Sequence, residues 1–202
     1  FVEVGRNADA ARVAAELARS RGADRPLAER LEQIAIELKD LDSLGVAHDL
    51  LVKDLAGVAR ATEMVRQAEV QVAAGVGAQE AILHGEGALT SVPPSDVDAL
   101  LSRLAALATS PTQVIEVYER QVARCRAPAD RLTALARAAQ MAASRGVVDR
   151  ARGFFELALS GGVQEDTINM LEQAATAGDM HAGATTLRTI LAEALAGGGQ
   201  GS

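Results

Sequence analysis

The residues of this chain that could ligate a metal or attack a substrate are few and scattered. The soft ligands and nucleophiles are three histidines, His48, His84 and His181, and a single cysteine, Cys125. None of the histidines has a second histidine or cysteine at helical ligand spacing. His84-Gly85-Glu86 has the His-x-Glu order of a zinc hydrolytic site, where the glutamate moves protons for a metal-bound water. That chemistry needs a Cys-x-x-Cys pair downstream, and one cysteine cannot supply it. The three histidines are therefore expected at the surface or at helix ends. Cys125 stands between Arg124 and Arg126, whose charges would lower the pKa of an exposed thiol. Its place in an apolar helical pattern predicts a buried, unreactive thiol instead. A lone cysteine forms no internal disulfide and fits a reducing, cytoplasmic compartment, with the periplasm also compatible.

Other catalytic signatures fail on a specific residue. Gly75-Val76-Gly77 begins like a dinucleotide-binding turn, but Glu80 stands where the third glycine belongs and no strand precedes it. No phosphate-binding loop ends in Lys-Ser or Lys-Thr, and no serine sits in a glycine-flanked elbow. Carboxylates are abundant, yet none reads as a pair isolated in an apolar setting. The expectation is a non-enzyme with no metal and no cofactor.

Bulk properties narrow the partners. The net charge of −7 over 202 residues opposes a phosphate-backbone or anionic-membrane role. Arginines are dispersed and have acids nearby, whereas nucleic-acid binders gather basic residues on one face. No apolar run reaches the roughly 18–20 residues of a membrane-spanning helix, so no membrane insertion is expected. The opening Phe1-Val2-Glu3-Val4-Gly5 is neither an initiator methionine nor a signal peptide. A piece of a longer or processed chain is expected. Heavy use of Ala, Arg, Gly and Leu resembles proteins of bacteria with GC-rich genomes.

A hydrophobic fraction of 49% supports a core, but an aromatic fraction of 2% leaves it to be packed from Ala, Leu and Val. Strand alternation is nearly absent, and helical periodicity runs through most of the chain. A first helix is expected over residues 8–21. A second is capped by Asp24 with Pro26 in its first turn and ends near Leu44-Gly45. A third starts at Val46 and carries Leu50, Leu51, Leu55 and Val58; its end lies either near Gly57 or toward Ala73. The segment Gly75 to Gly87 is the weakest, a frayed helix or a bend. Further helices open at Ser95 or Asp96, at Ser110-Pro111 and at Pro128, the last stopped by Gly146. Others follow over 147–160, 164–177 and 180–196. Short turns between them favour antiparallel neighbours, and helices this short need stacking for stability.

The pattern repeats. Leu135-Ala138-Ala139-Ala142, Gly146, Ala151, Phe155 and Ala158 recur as Thr167-Met170-Leu171-Ala174, Gly178, Gly183, Leu187 and Ile190. Earlier, Leu31-Ile34-Ala35-Leu38 precede Ala47 and Leu51. The step from Ala139 to Ala151 equals that from Ala35 to Ala47, which places a small residue on each helix of a hairpin and lets the two approach closely. On these residues the chain resembles the tetratricopeptide repeat family, whose period is about 34 residues. The match is best over 129–160, fair over 164–196 and 27–55, and poor over 60–90. Leu135, Ala142 and Val163 stand where the family has Trp, Tyr and Pro. Val114 to Cys125 is similar to the second helix of such a repeat, with Tyr118 in the aromatic place.

The resemblance implies an all-α fold, an α-solenoid of stacked antiparallel helix hairpins in a right-handed superhelix. Residues 1–92 would form degenerate repeats, 93–196 better-matched hairpins and 197–202 a flexible glycine-rich tail. It implies a scaffold whose concave face binds a peptide or partner helix through first-helix side chains. By position these are Thr133, Arg137, Gln140 and Ser144, then Asn169, Glu172 and Thr176, and near the start Glu29, Gln33 and Lys39. The alternative expectation is a regulatory or assembly region of a larger multidomain protein, an enzyme or a transcription regulator, that packs intramolecularly.

Overall fold

A computed structural model describes residues 24–160 continuously. Outside that run it describes residues 9, 12–13, 15–16, 167–173, 175 and 185–198. Among the described residues there is no strand. The chain divides into two compact units, residues 1–107 and 108–202.

In the first unit, residues 9, 12–13 and 15–16 are helical. Then follow α1 (Arg25–Leu38), α2 (Leu41–Val52), α3 (Gly57–Ala73), α4 (Ala78–Glu86), a 3₁₀ turn (Leu89–Ser91) and α5 (Pro94–Ala106). Helix α1 packs on α2 and α3 on α4, while α2 also touches α3 and α5 lies against both α3 and α4. The second unit holds α6 (Pro111–Arg124), α7 (Pro128–Ser144), α8 (Val148–Leu159), helical residues within 167–175, and α9 (Thr185–Gly198). Helix α7 packs on α6 and α8, and α9 packs on α8 and, less, on α7. Helix therefore packs on neighbouring helix in both units, and no described helix is long and apolar enough to cross a membrane.

Local chemistry sets the helix starts. Asp24 accepts a hydrogen bond from the Leu27 amide at 3.1 Å, with proline in the first turn of α1. Ser110 does the same for the Gln113 amide at 3.2 Å before Pro111. Helix α5 differs from expectation: it begins at Pro94, so Ser95 and Asp96 lie inside its first turn and neither caps it.

The break after α1 comes earlier than expected. Lys39 adopts φ 55°, its amide bonds back to Ile36, and the Asp40 amide bonds to Ala35 at 2.9 Å. That left-handed cap ends the helix. Asp40 then caps α2, accepting from the Ser43 amide and hydroxyl at 3.2 and 2.7 Å. Leu44 and Gly45, read as the end of one helix, lie inside the next. The third stretch, whose end was open between Gly57 and Ala73, is broken between Val52 and Gly57.

The core uses small residues as the repeat predicts. Ala35 with Ala47, and Ala139 with Ala151, are buried on helices that pack together, and Leu51, Tyr118 and Phe155 are buried as well. Gly146 ends α7 at φ 74°, which a side chain rarely adopts. Within the weak segment 75–87, Ala78–Glu86 form a regular helix, α4, with Ala81 and Ile82 buried. A Cβ on its Gly85 would lie 2.6 Å from Leu104 Cδ2, so the glycine sets how closely α4 approaches α5.

Candidate functional site

The expected binding residues fall in two separate units. On α7, Thr133, Arg137 and Ser144 are exposed and Gln140 is half-buried, while Leu135, Ala136, Ala138, Ala139 and Ala142 are buried. The four polar residues are spaced to form one stripe along the helix. Thr133 and Ser144 turn their hydroxyls to the Ala129 and Met141 carbonyls of their own helix, at 3.1 and 2.9 Å. Asn169 and Glu172 are exposed in the helical stretch 167–173, and Thr176 lies outside the described residues. Glu172 borders a cavity of about 350 Å³ that Arg188, Leu191, Ala192 and Leu195 of α9 also line. One wall is thus aliphatic and its edges carry opposite charges.

In the first unit, Glu29 and Gln33 are exposed on α1 and engaged by arginines of the same helix. Arg25 donates to Glu29 at 2.8 Å and Arg30 to Gln33 at 3.1 Å. Lys39 forms the left-handed turn after α1 and is not on the helix with them.

The first unit also contains a buried polar cluster. Arg66 on α3 holds Glu32 on α1 with both terminal nitrogens, at 3.0 and 2.7 Å, and donates to Glu63 from Nε and Nη2 at 3.0 and 2.6 Å. Arg25 reaches Glu63 at 3.6 Å. His48 on α2, only 2% exposed, brings Nε2 to 3.0 Å from Glu32 Oε1, close in distance but not aligned as a hydrogen bond. Its Nδ1 lies 3.4 Å from Gln71 Nε2. Gln67, fully buried, donates to the His48 carbonyl at 3.0 Å and meets His84 Nε2 on α4 at 3.2 Å.

This arrangement corrects two readings. His48 is a core residue inside α2, neither at the surface nor at a helix end, whereas half-buried His84 does stand in the last turn of α4, and His181 lies outside the described residues. Glu32 and Glu63 are buried carboxylates beside each other, but a guanidinium joins them. Burial pushes the Glu32 carboxyl up, yet the contacts from His48 and Arg66 outweigh it and hold the group at about 2. The Glu32 contact likewise raises the Arg66 guanidinium against its burial. Groups held this far from neutrality are fixed charges and do not exchange protons near pH 7. Among the described residues, no three acids, histidines or cysteines are placed to hold a metal ion.

A second clasp repeats the first. Arg103 on α5 binds Glu69 on α3 through Nε and Nη2, both at 2.8 Å. Arginine and glutamate stand 34 residues apart in each pair. Alternate helices α1, α3 and α5 are thereby joined in series. The sequence signal for the first clasp was an acid on the apolar stripe Ala28-Leu31-Glu32-Ala35, all four buried. Its partner lay too far along the chain to be read from spacing.

Cys125 is half-buried at the end of α6, 3.8 Å from Gln121 Nε2. Burial and the charge of Asp130 raise its thiol, opposite to the activation that its flanking arginines would give. No protein-family model matches the chain, and no significant match was found among curated proteins or solved structures.

Proposed function

We propose that this chain is a non-catalytic interaction module of the tetratricopeptide-like kind, a solenoid of helix hairpins that binds a peptide or a partner's helix. The observation that carries the reading is α7. One side is buried in small apolar residues, and the other presents Thr133, Arg137, Gln140 and Ser144 in line. A helix so divided gives its small face to packing and turns a polar row outward, where an extended peptide would be met. The cavity beside Glu172 and α9 adds an aliphatic pocket of a size suited to a side chain. The clasps between α1, α3 and α5 favour a serial stack, since each joins a helix to the next but one. The same reading is supported by Glu32 and Glu63, which are held by Arg66, and by the Cys125 thiol, which is shifted away from reactivity.

The test is selection of binders from a random peptide library displayed on phage, with the intact chain as bait. The parent should enrich a peptide class that a folded Arg137→Glu/Gln140→Ala variant fails to hold. Equal retention by the variant would move the interface off α7. Failure of any peptide to enrich would favour a segment that packs within a larger protein.

A further inference from the structure

The polar cluster of the first unit contains two histidines that the proposed binding role does not use. Gln67 is buried in α3 between α2 and α4, and its amide nitrogen is committed to the His48 carbonyl. Its amide oxygen is therefore the atom that meets His84, so neutral His84 carries its proton on Nε2 and donates it. On the other side, the Gln71 amide nitrogen faces His48 Nδ1, which makes that atom the acceptor and turns the Nε2 proton toward Glu32. Neutral His84 fits the cluster, with its basic nitrogen, Nδ1, as the place where an added proton would go.

We propose that Gln67 and His84 form a proton-sensitive latch that holds α4 on α3, closed when the His84 imidazole is neutral and released by mild acid. Among the described residues His84 has no carboxylate in contact, and a charge there is half-buried and disfavoured by His48 on α2. The surrounding charges do not relieve it. Asp49 on α2 acts on it favourably but sits on the exposed side of that helix. On α3, Glu63 and Arg66 are bound up with Glu32, and Glu69 is held by Arg103 of α5. Of the other acids on α5, Asp96 lies in its exposed first turn and Asp98 is already engaged. On α4 itself, Glu80 is exposed in the first turn and Glu86 is buried and already engaged. The 3₁₀ turn carries no charge. Burial and His48 together lower the His84 pKa from its ordinary value of 6.5, in line with this geometry.

A histidine whose folded pKa lies below its unfolded one contributes its full stability above about pH 6.5. That contribution is lost as the pH falls through the folded value. Only α4 has its docking tied directly to this titration.

The test is amide exchange of residues 78–86 at pH 7.5 and pH 5, corrected for intrinsic rates, with residues 148–159 of α8 as the internal reference. Protection of 78–86 should fall several-fold more than that of 148–159. The selective loss should vanish in His84→Gln, whose amide can still donate to Gln67. As a readout independent of any variant's folding, the His84 imidazole of the parent should titrate by NMR below its ordinary value of 6.5. Equal loss of protection in both helices, persistence of the selective loss in His84→Gln, or titration of His84 at or above 6.5 would overturn the latch.

Discussion

Arg66 grips Glu32 from 34 residues further along the chain, with two nitrogens at 3.0 and 2.7 Å from the two carboxylate oxygens. This fork-on-fork geometry fixes the rotation of α1 against α3 as well as their distance. Both carboxylates around Arg66 are buried, whereas the arginine itself is about a third exposed, so water softens the interaction without removing it. Glu32→Gln should lower unfolding stability by roughly 1–3 kcal/mol, less than a fully buried pair would cost. Chemical denaturation of parent and variant measures it.

The same carboxylate sets an acid limit. Its folded pKa, about 2, lies below the ordinary 4.5, so its contribution is complete above pH 4.5 and is lost as the pH falls toward 2. Melting temperatures between pH 5 and pH 2 should fall more steeply in the parent than in Glu32→Gln, whose side chain no longer titrates.

Gly85 should tolerate no side chain. A Cβ there meets Leu104 Cδ2 at 2.6 Å, and Leu104 is itself fully buried. Gly85→Ala forces α4 away from α5 or Leu104 off its rotamer, at a cost of about 1–3 kcal/mol despite the better helix propensity of alanine. Gly85→Ala paired with Leu104→Ala should recover part of that loss. Thermal unfolding of the single and double variants decides it.

Two other glycines should respond in opposite directions. Gly146 has φ 74°, and alanine there is strained by about 1 kcal/mol or more. Gly153 lies inside α8 with open space where a Cβ would stand, so Gly153→Ala should stabilise by about 0.5–1 kcal/mol. Denaturation midpoints of the two variants should move to opposite sides of the parent.

Ala139 and Ala151 test the hairpin rule itself. Both are fully buried, on α7 and α8. Ala151→Leu should cost about 1–3 kcal/mol by overpacking the contact. Ala123→Leu, at an exposed place on α6, should leave stability within about 0.5 kcal/mol.

The parts of the fold legible in the sequence are those decided within a few residues. Asp24 and Ser110 announce helix starts because a short polar side chain reaches an amide three residues on, and Gly146 announces an end because glycine relaxes at positive φ. The buried alanine pairs are legible because their spacing repeats. Lys39 gives no such signal: it is a left-handed cap made by a residue that ordinarily sits inside helices, and so the turn of the first hairpin lies several residues earlier than the pattern suggests. The polar cluster is hidden for a different reason. Glu32, His48, Gln67 and His84 each look ordinary alone, and only the packing of four helices shows that they satisfy one another.

The proposed function stands or falls on whether the polar row of α7 touches a bound peptide. Photo-crosslinking decides this, with a selected peptide and chains carrying a photoreactive residue in place of Thr133, Ser144 or Asp149. Crosslinks should form from positions 133 and 144, and none from exposed position 149 on α8. Crosslinks from 149 alone, or none from either α7 position with a peptide that binds, would rule the α7 surface out.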